Sequence, residues 1–207
     1  SCQRPARAAP RPPPPRRPRQ SKRLPLHAQL YLAWHLRQAQ KPLLFDDEPP
    51  PSVDDEPDRR YPSVYVIQGY TGTVAMWHNR SPFRPTFPEA ADALFAGGGA
   101  PPCIVAYVDA WTAYGGSQFV DSPGTGNYHS YLCDEVVPFV DERYPTAASR
   151  DRRGLTGKSS GGYGAMVVPM LRPEVFGALA SHAGDALFEC CYLAEMPATV
   201  RRLRDDF

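Results

Sequence analysis

Short apolar runs separated by longer helical stretches constrain this chain more than any other feature. "SVYVIQG" (63–69) and "CIVAYVDA" (103–110) are too short and too uniformly apolar for amphipathic helices, and read as strands buried on both faces. Between them "PTFPEAADALFA" (85–96) predicts a helix, with Pro88 near its first turn and Gly97, Gly98 and Gly99 ending it. Tyr128, Tyr131, Leu132, Val136, Phe139 and Val140 recur at three- and four-residue spacing, predicting a longer helix from about Tyr128 to Arg143. Pro138 falls inside it, where a proline can kink a helix. "RRGLTG" (152–157) and "VFGALASHAG" (175–184) supply a third and a fourth strand, with "SGGYGAMVVPMLRPE" (160–174) as the helix between them. Strands alternating with crossover helices specify an α/β fold built on a parallel sheet.

The N-terminal part is a different object. Residues 1–41 hold ten Lys or Arg and no acid, leaving 13 basic against 22 acidic residues and a net charge of −9 over 42–207. Seven of the 25 prolines lie in the first eighteen residues, which remove backbone donors and offer almost no apolar side chains, so residues 1–24 are expected to be a disordered, basic tail. No aromatic residue is interleaved with its arginines, so the charge run does not point to nucleic acid. "HAQLYLAWHLRQAQ" (27–40) predicts a short helix, and "DDEPPPSVDDEPDRR" (46–60) an acidic, proline-broken linker, with the folded part beginning near Arg60. No signal peptide or membrane-spanning run is visible, which makes the cytoplasm the default expectation.

The turn between the third strand and its helix, "TGKSSGGYG" (156–164), admits two chemistries. Gly157-Lys158-Ser159 imitates a phosphate loop, but that motif needs a glycine five residues before Gly157, where Arg152 stands. Gly157-x-Ser159-x-Gly161 matches the nucleophile elbow, whose strained turn brings the backbone on both sides of a serine close to neighbouring elements. The plainer alternative is a helix start in which Ser159 or Ser160 is only a cap.

With its flanks, this segment resembles the esterase branch of the α/β-hydrolases, which includes enterochelin esterases, S-formylglutathione hydrolases and mycolyltransferases. The resemblance runs from about Asp58 to Glu195 and is carried by "YPSVYVIQGYTG" (61–72), "GGSQFVDSPGTGNYHSYLCDEVVPFVDERYP" (115–145) and "GLTGKSSGGYGAM" (154–166). It implies the spatial strand order second, first, third, fourth, with the site at their C-terminal edge. It also implies an ester or acyl substrate and no cofactor. Ser159 is then the nucleophile, and the backbone N–H of Ser160 is one oxyanion donor. The match of "QGYTG" to the family's glycine loop makes the Tyr70 N–H the second, each donor being worth about 2.7–4 kcal/mol in the transition state.

The base is open. The family's order is serine, acid, histidine, and its last two members follow strands beyond those found here. His182, at the end of the fourth strand, with Asp185 three residues on, allows a compact Ser159–His182–Asp185 set. His182 is otherwise a strand-end or pocket-lining residue, or Asp185 is the acid and the histidine is missing. The chain therefore reads as part of a longer serine esterase, with unprotected sheet edges. An acyltransferase of the mycolyltransferase type and an inactive hydrolase-like binding module are the alternatives. Trp77, Trp111 and Tyr114 fall in or near the strand-end loops and are candidates to line an acyl pocket or to pack as core. The five cysteines lack C-x-x-C spacing, so reduced thiols are expected, and no metal-binding pattern is present.

Overall fold

The computed structural model describes residues 58–206 and the backbone of residues 30–33. A five-stranded sheet is built from β1 (Leu30–Ala33), β2 (Ser63–Ile67), β3 (Ile104–Val108), β6 (Arg153–Lys158) and β7 (Ala178–His182), in the order β1-β3-β2-β6-β7. The last four strands are parallel, and their order is the one the resemblance implies. The small hairpin of β4 (Asp121–Ser122) and β5 (Gly126–Asn127) stands apart from this sheet.

The helix expected over 27–40 is corrected at its centre. Leu30–Ala33 is a strand that pairs antiparallel with β3, Leu30 opposite Val108 and Ala33 opposite Val105. Four consecutive apolar residues fit either element in isolation, and here the outer edge of β3 offers them a backbone ladder. The remainder of that segment, the basic tail over 1–24 and most of the acidic linker lie outside the described residues.

Alternation along the strands places a core on each face. Tyr65, Ile67, Ala106, Val108 and Leu155 pack with Leu132, Val136, Val140, Ala165 and Val168. Those partners come from α4 (Ser160–Leu171) and from the long helix, which consists of α2 (Tyr128–Ser130), a π-helical stretch (Tyr131–Val136) and α3 (Val137–Arg143). Val66, Val105 and Tyr107 face the other way, toward Val74, Trp77 and Phe95, the last carried by α1 (Phe87–Ala96). Pro138 expresses itself as the π stretch. The Val137 N–H bonds to the Leu132 carbonyl five residues back, and the widened turn comes just before the residue that has no N–H to continue an ordinary ladder. Thr86 starts α1 with a reciprocal capping box to Glu89, and Pro88 lies in the first turn.

β7 is different from its neighbours. Four of its five residues are exposed, and its outer edge takes no strand among the described residues. The sequence predicts unprotected edges, and the outer edge of β3 is instead covered by β1. The short helix α5 (Phe188–Cys191) and α6 (Met196–Asp206) follow it.

Candidate active site

The turn joining β6 to α4 can form only from small residues. A Cβ on Gly157 would lie 2.4 Å from the Gly161 carbonyl oxygen, and one on Gly161 would lie 2.4 Å from the carbonyl oxygen of Gln68 at the end of β2. Side chains at either position would push the helix off the sheet. Between them Ser159 has φ 56 and ψ −124, a conformation that costs a residue with a Cβ about 1–3 kcal/mol.

Ser159 occupies the N-cap position of α4, yet its side chain makes no capping hydrogen bond. An ordinary cap serine spends its hydroxyl on the helix, so this one is left for other use. Its backbone is fixed instead. The Ser159 N–H donates to the His182 carbonyl at 2.9 Å, and the Tyr163 N–H donates to the Ser159 carbonyl at 2.9 Å. Ser160, 2% exposed, contributes an N–H from the first turn of α4, where amides have no intrahelical acceptor and the helix dipole favours negative charge.

The loop after β2 runs beside this turn. A Cβ on Gly69 would lie 3.5 Å from Ser159 Cβ and 4.0 Å from its Oγ, so Tyr70 begins within a residue of the hydroxyl. The Gly72 N–H closes a tight turn on the Gly69 carbonyl at 3.0 Å, and among the described residues the Tyr70 N–H has no protein acceptor. Tyr70 is held from the far side: its carbonyl accepts the Gly116 N–H at 2.6 Å, and its hydroxyl donates to the Tyr114 carbonyl.

Three aromatic side chains open to solvent at this end of the sheet. Tyr70, Trp111 and Tyr114 are 51%, 49% and 55% exposed, too open to be core. Their loops are nevertheless ordered by specific bonds, Tyr128 Oη donating to the Trp111 carbonyl at 3.1 Å and the Tyr114 N–H to Thr112 Oγ1 at 3.0 Å. Trp77 goes elsewhere. Its ring packs 5.1 Å from Phe87 and 6.0 Å from Tyr107, in the satellite core under α1.

His182 and Asp185 are not assembled with Ser159. The tie between His182 and Ser159 is backbone only, and among the described residues no hydrogen bond or ion pair joins the exposed imidazole to Ser159 Oγ or to Asp185. Asp185 accepts from the Tyr192 hydroxyl at 2.6 Å, and that hydroxyl in turn accepts from Gln118 Nε2 at 3.0 Å. Burial and the neighbouring Asp185 push the Tyr192 phenol up to about 12, so it stays a donor. Nothing local in the sequence announces this chain of three, because Gln118 and Tyr192 are 74 residues apart.

Comparison with known proteins shows the family of the chain. The Esterase family model, described as "Putative esterase", matches residues 49–187, which take in β2 through β7 and the whole serine turn. The endo-1,4-beta-xylanase/feruloyl esterase of Xylanibacter ruminicola is 28% identical over 123 residues, 57% of this chain and 16% of that protein. A solved ferulic acid esterase is 23% identical with a TM-score of 0.55, the match covering 64% of this chain and 49% of the other. A ferulic acid esterase from Anaeromyces mucronatus, solved in complex with ferulic acid, is 20% identical with a TM-score of 0.47, over 63% of this chain and 49% of that one. The first of these solved structures shares its fold, and the chain spans about half or less of the length of the relatives it matches. With two thirds of its residues under the family model, the chain belongs to the Esterase family of α/β hydrolases.

Proposed function

We propose that this chain carries the nucleophilic half of a serine ester hydrolase, with Ser159 as the nucleophile and the Ser160 and Tyr70 N–H groups as the oxyanion donors. The observation that carries this reading is the strained Ser159 backbone with a hydroxyl not used for capping, beside Gly69. In the proposed reaction Ser159 Oγ attacks the ester carbonyl carbon and its proton passes to a base. The carbonyl oxygen takes the developing charge between the two N–H groups, and the alcohol leaves with a proton. Water then attacks the acyl-enzyme and releases the carboxylic acid, restoring the serine.

The substrate class we assign is an ester with an aromatic acyl group. Tyr70, Trp111 and Tyr114 favour it, since three open, hydrogen-bonded aromatic loops beside the nucleophile suit a flat ring. The feruloyl and ferulic acid esters in the relatives' names agree with this assignment. Among the described residues no hydrogen bond or ion pair joins the His182 side chain to Ser159 in support of its being the base, and Asp185 accepts from Tyr192. Esters should accordingly be turned over slowly by this chain, since a site without its base typically retains only about 10³–10⁴-fold acceleration over water.

The test is labelling with a fluorophosphonate, which is activated enough to report a weakly assisted serine. The expected adduct maps to Ser159, disappears in Ser159→Ala, and forms more slowly in the presence of methyl ferulate. An adduct on another residue, or one that survives Ser159→Ala, rules the assignment out.

A further inference from the structure

Asp109, the residue after β3, accepts three hydrogen bonds, two of them from the ends of the loop carrying Tyr70. Its Oδ1 accepts from Gln68 Nε2 at 3.2 Å and from the Trp111 N–H at 2.9 Å, and its Oδ2 accepts from the Val74 N–H at 3.2 Å. Gln68 and Val74 are the two ends of the 69–73 loop, so one carboxylate fastens both. Among the described residues no Lys or Arg pairs with Asp109, and its charge is met by neutral donors. Gln68 is 3% exposed and reaches both halves of the site. Its side chain is held by Asp109, while its carbonyl oxygen lies where a Cβ on Gly161 would fall, against the first turn of α4.

We infer that Asp109 is the positioning residue of the oxyanion hole, fixing the Tyr70 N–H relative to the Ser160 N–H without touching substrate. This inference rests on the assignment of Ser159 as nucleophile. The tight turn through Gly69 and Gly72 fixes the loop on itself, and the Tyr70 carbonyl and hydroxyl tie its middle to Gly116 and Tyr114, which leaves the two ends of the loop to be fastened. Asp109 fastens both, holding Val74 at one end and at the other Gln68, whose carbonyl lies against Gly161 in the first turn of α4. Oxyanion donors act only when they are aimed before charge develops, and a misplacement of about 1 Å is enough to cost roughly 100-fold in rate.

The discriminating variant is Asp109→Asn. Its amide keeps one acceptor oxygen but turns an NH₂ toward a backbone N–H, donor against donor, which unfastens one end of the loop. Two measurements on the 207-residue chain are compared with those for wild type and for Asp151→Asn, an exposed carboxylate far from the loop. In fluorophosphonate labelling of Ser159, the maximal inactivation rate should fall about 10- to 100-fold while the half-saturating probe concentration stays within about threefold. In hydrogen exchange, amides from Tyr70 to Val74 should exchange at least about tenfold faster while those of β2 and β6 are unchanged. Gln68→Leu, which removes one arm by putting an apolar side chain of similar size in place of the amide, should give a smaller change of the same kind and serves if Asp109→Asn does not fold. Equal inactivation rates, a loss confined to probe affinity, or unchanged exchange across 70–74 overturns the inference. Absence of labelling in the wild-type chain would defeat the nucleophile assignment instead, and the exchange comparison would still decide whether Asp109 fastens the loop.

Discussion

The Ser159 amide and the His182 carbonyl are joined at 2.9 Å, so Ser159 itself is anchored to the end of β7 through the His182 backbone, beside the bond from the Ser181 hydroxyl to the Gly162 carbonyl at 2.9 Å. His182→Ala preserves that bond. The expected outcome is therefore an unchanged fold and a Ser159 labelling rate within about threefold of wild type. A fall of about 100-fold or more, at the scale seen when a catalytic triad loses its base, would make His182 the base and would require the exposed imidazole to swing over Ser159.

The backbone conformation of Ser159 makes a second, independent prediction about stability. At φ 56 and ψ −124 a Cβ is strained and glycine is not. Ser159→Ala keeps the strain, whereas Ser159→Gly relieves about 1–3 kcal/mol of it against up to about 1 kcal/mol of added unfolded-state entropy. Ser159→Gly should be more stable than Ser159→Ala by about 1 kcal/mol in urea unfolding, and neither should be labelled. Equal midpoints would mean that the turn relaxes when the serine is lost.

The open aromatic rings give a test of substrate class. Trp111→Ala and Tyr114→Ala should each weaken protection of Ser159 by methyl ferulate about 3- to 10-fold, the range expected for losing one aromatic contact. Protection by an aliphatic ester of similar size should change little. If the two kinds of ester lose protection equally, the rings shape the loop and do not bind the acyl group.

The sheet was legible in the sequence because its evidence is local. Each parallel strand buried on both faces is a run such as Tyr65 to Ile67 or Ile104 to Val108, and each crossover helix has its own periodicity and punctuation. The serine turn was legible for the same reason, since Gly157 and Gly161 are required by contacts within a few residues of Ser159 or directly across the end of β2. β1 was not, because four apolar residues choose between helix and strand only when an edge is offered. Nor were the two polar links of the site. Asp109 meets Gln68 and Val74 across 41 and 35 residues, and Asp185 meets Gln118 only through Tyr192. Such pairs leave no periodic trace, although an aspartate just past the C-terminal end of a buried parallel strand is a position where polar function collects.

Asp121 offers a pH test at the start of the long helix. Burial raises its carboxyl, but hydrogen bonds from the Ser130 hydroxyl at 2.6 Å and the Ser130 N–H at 3.0 Å outweigh that and hold it below the ordinary carboxylate value. A group depressed in the folded state contributes stability above its unfolded pKa of about 3.9 and loses it as pH falls through the folded value. Wild type should therefore lose more stability than Asp121→Asn between about pH 5 and pH 2. Parallel urea-midpoint curves for the two over that range would show that Ser130 and the neighbouring His129 do not stabilise the charged form.

The largest single effect on stability is expected at the opposite end of the sheet from Ser159. Arg153 begins β6 with its side chain 7% exposed, donating to the Val175 carbonyl at 2.8 Å and pairing with Asp141 of α3, whose other oxygen accepts from Thr146 Oγ1 at 2.7 Å. Removing one member of such a pair leaves the other charge buried without compensation, at a cost of about 3–5 kcal/mol. Asp141→Ala strands the more deeply buried Arg153 and should fall in that range by urea unfolding, while Arg153→Met strands Asp141, which is 19% exposed and keeps its bond from Thr146, and should cost less. The ordering of the two variants is the informative result, because an exposed pair would give nearly equal losses below about 1 kcal/mol. If Arg153→Met proved the more damaging, its bond to Val175 would hold β6 in place and the ion pair would be secondary.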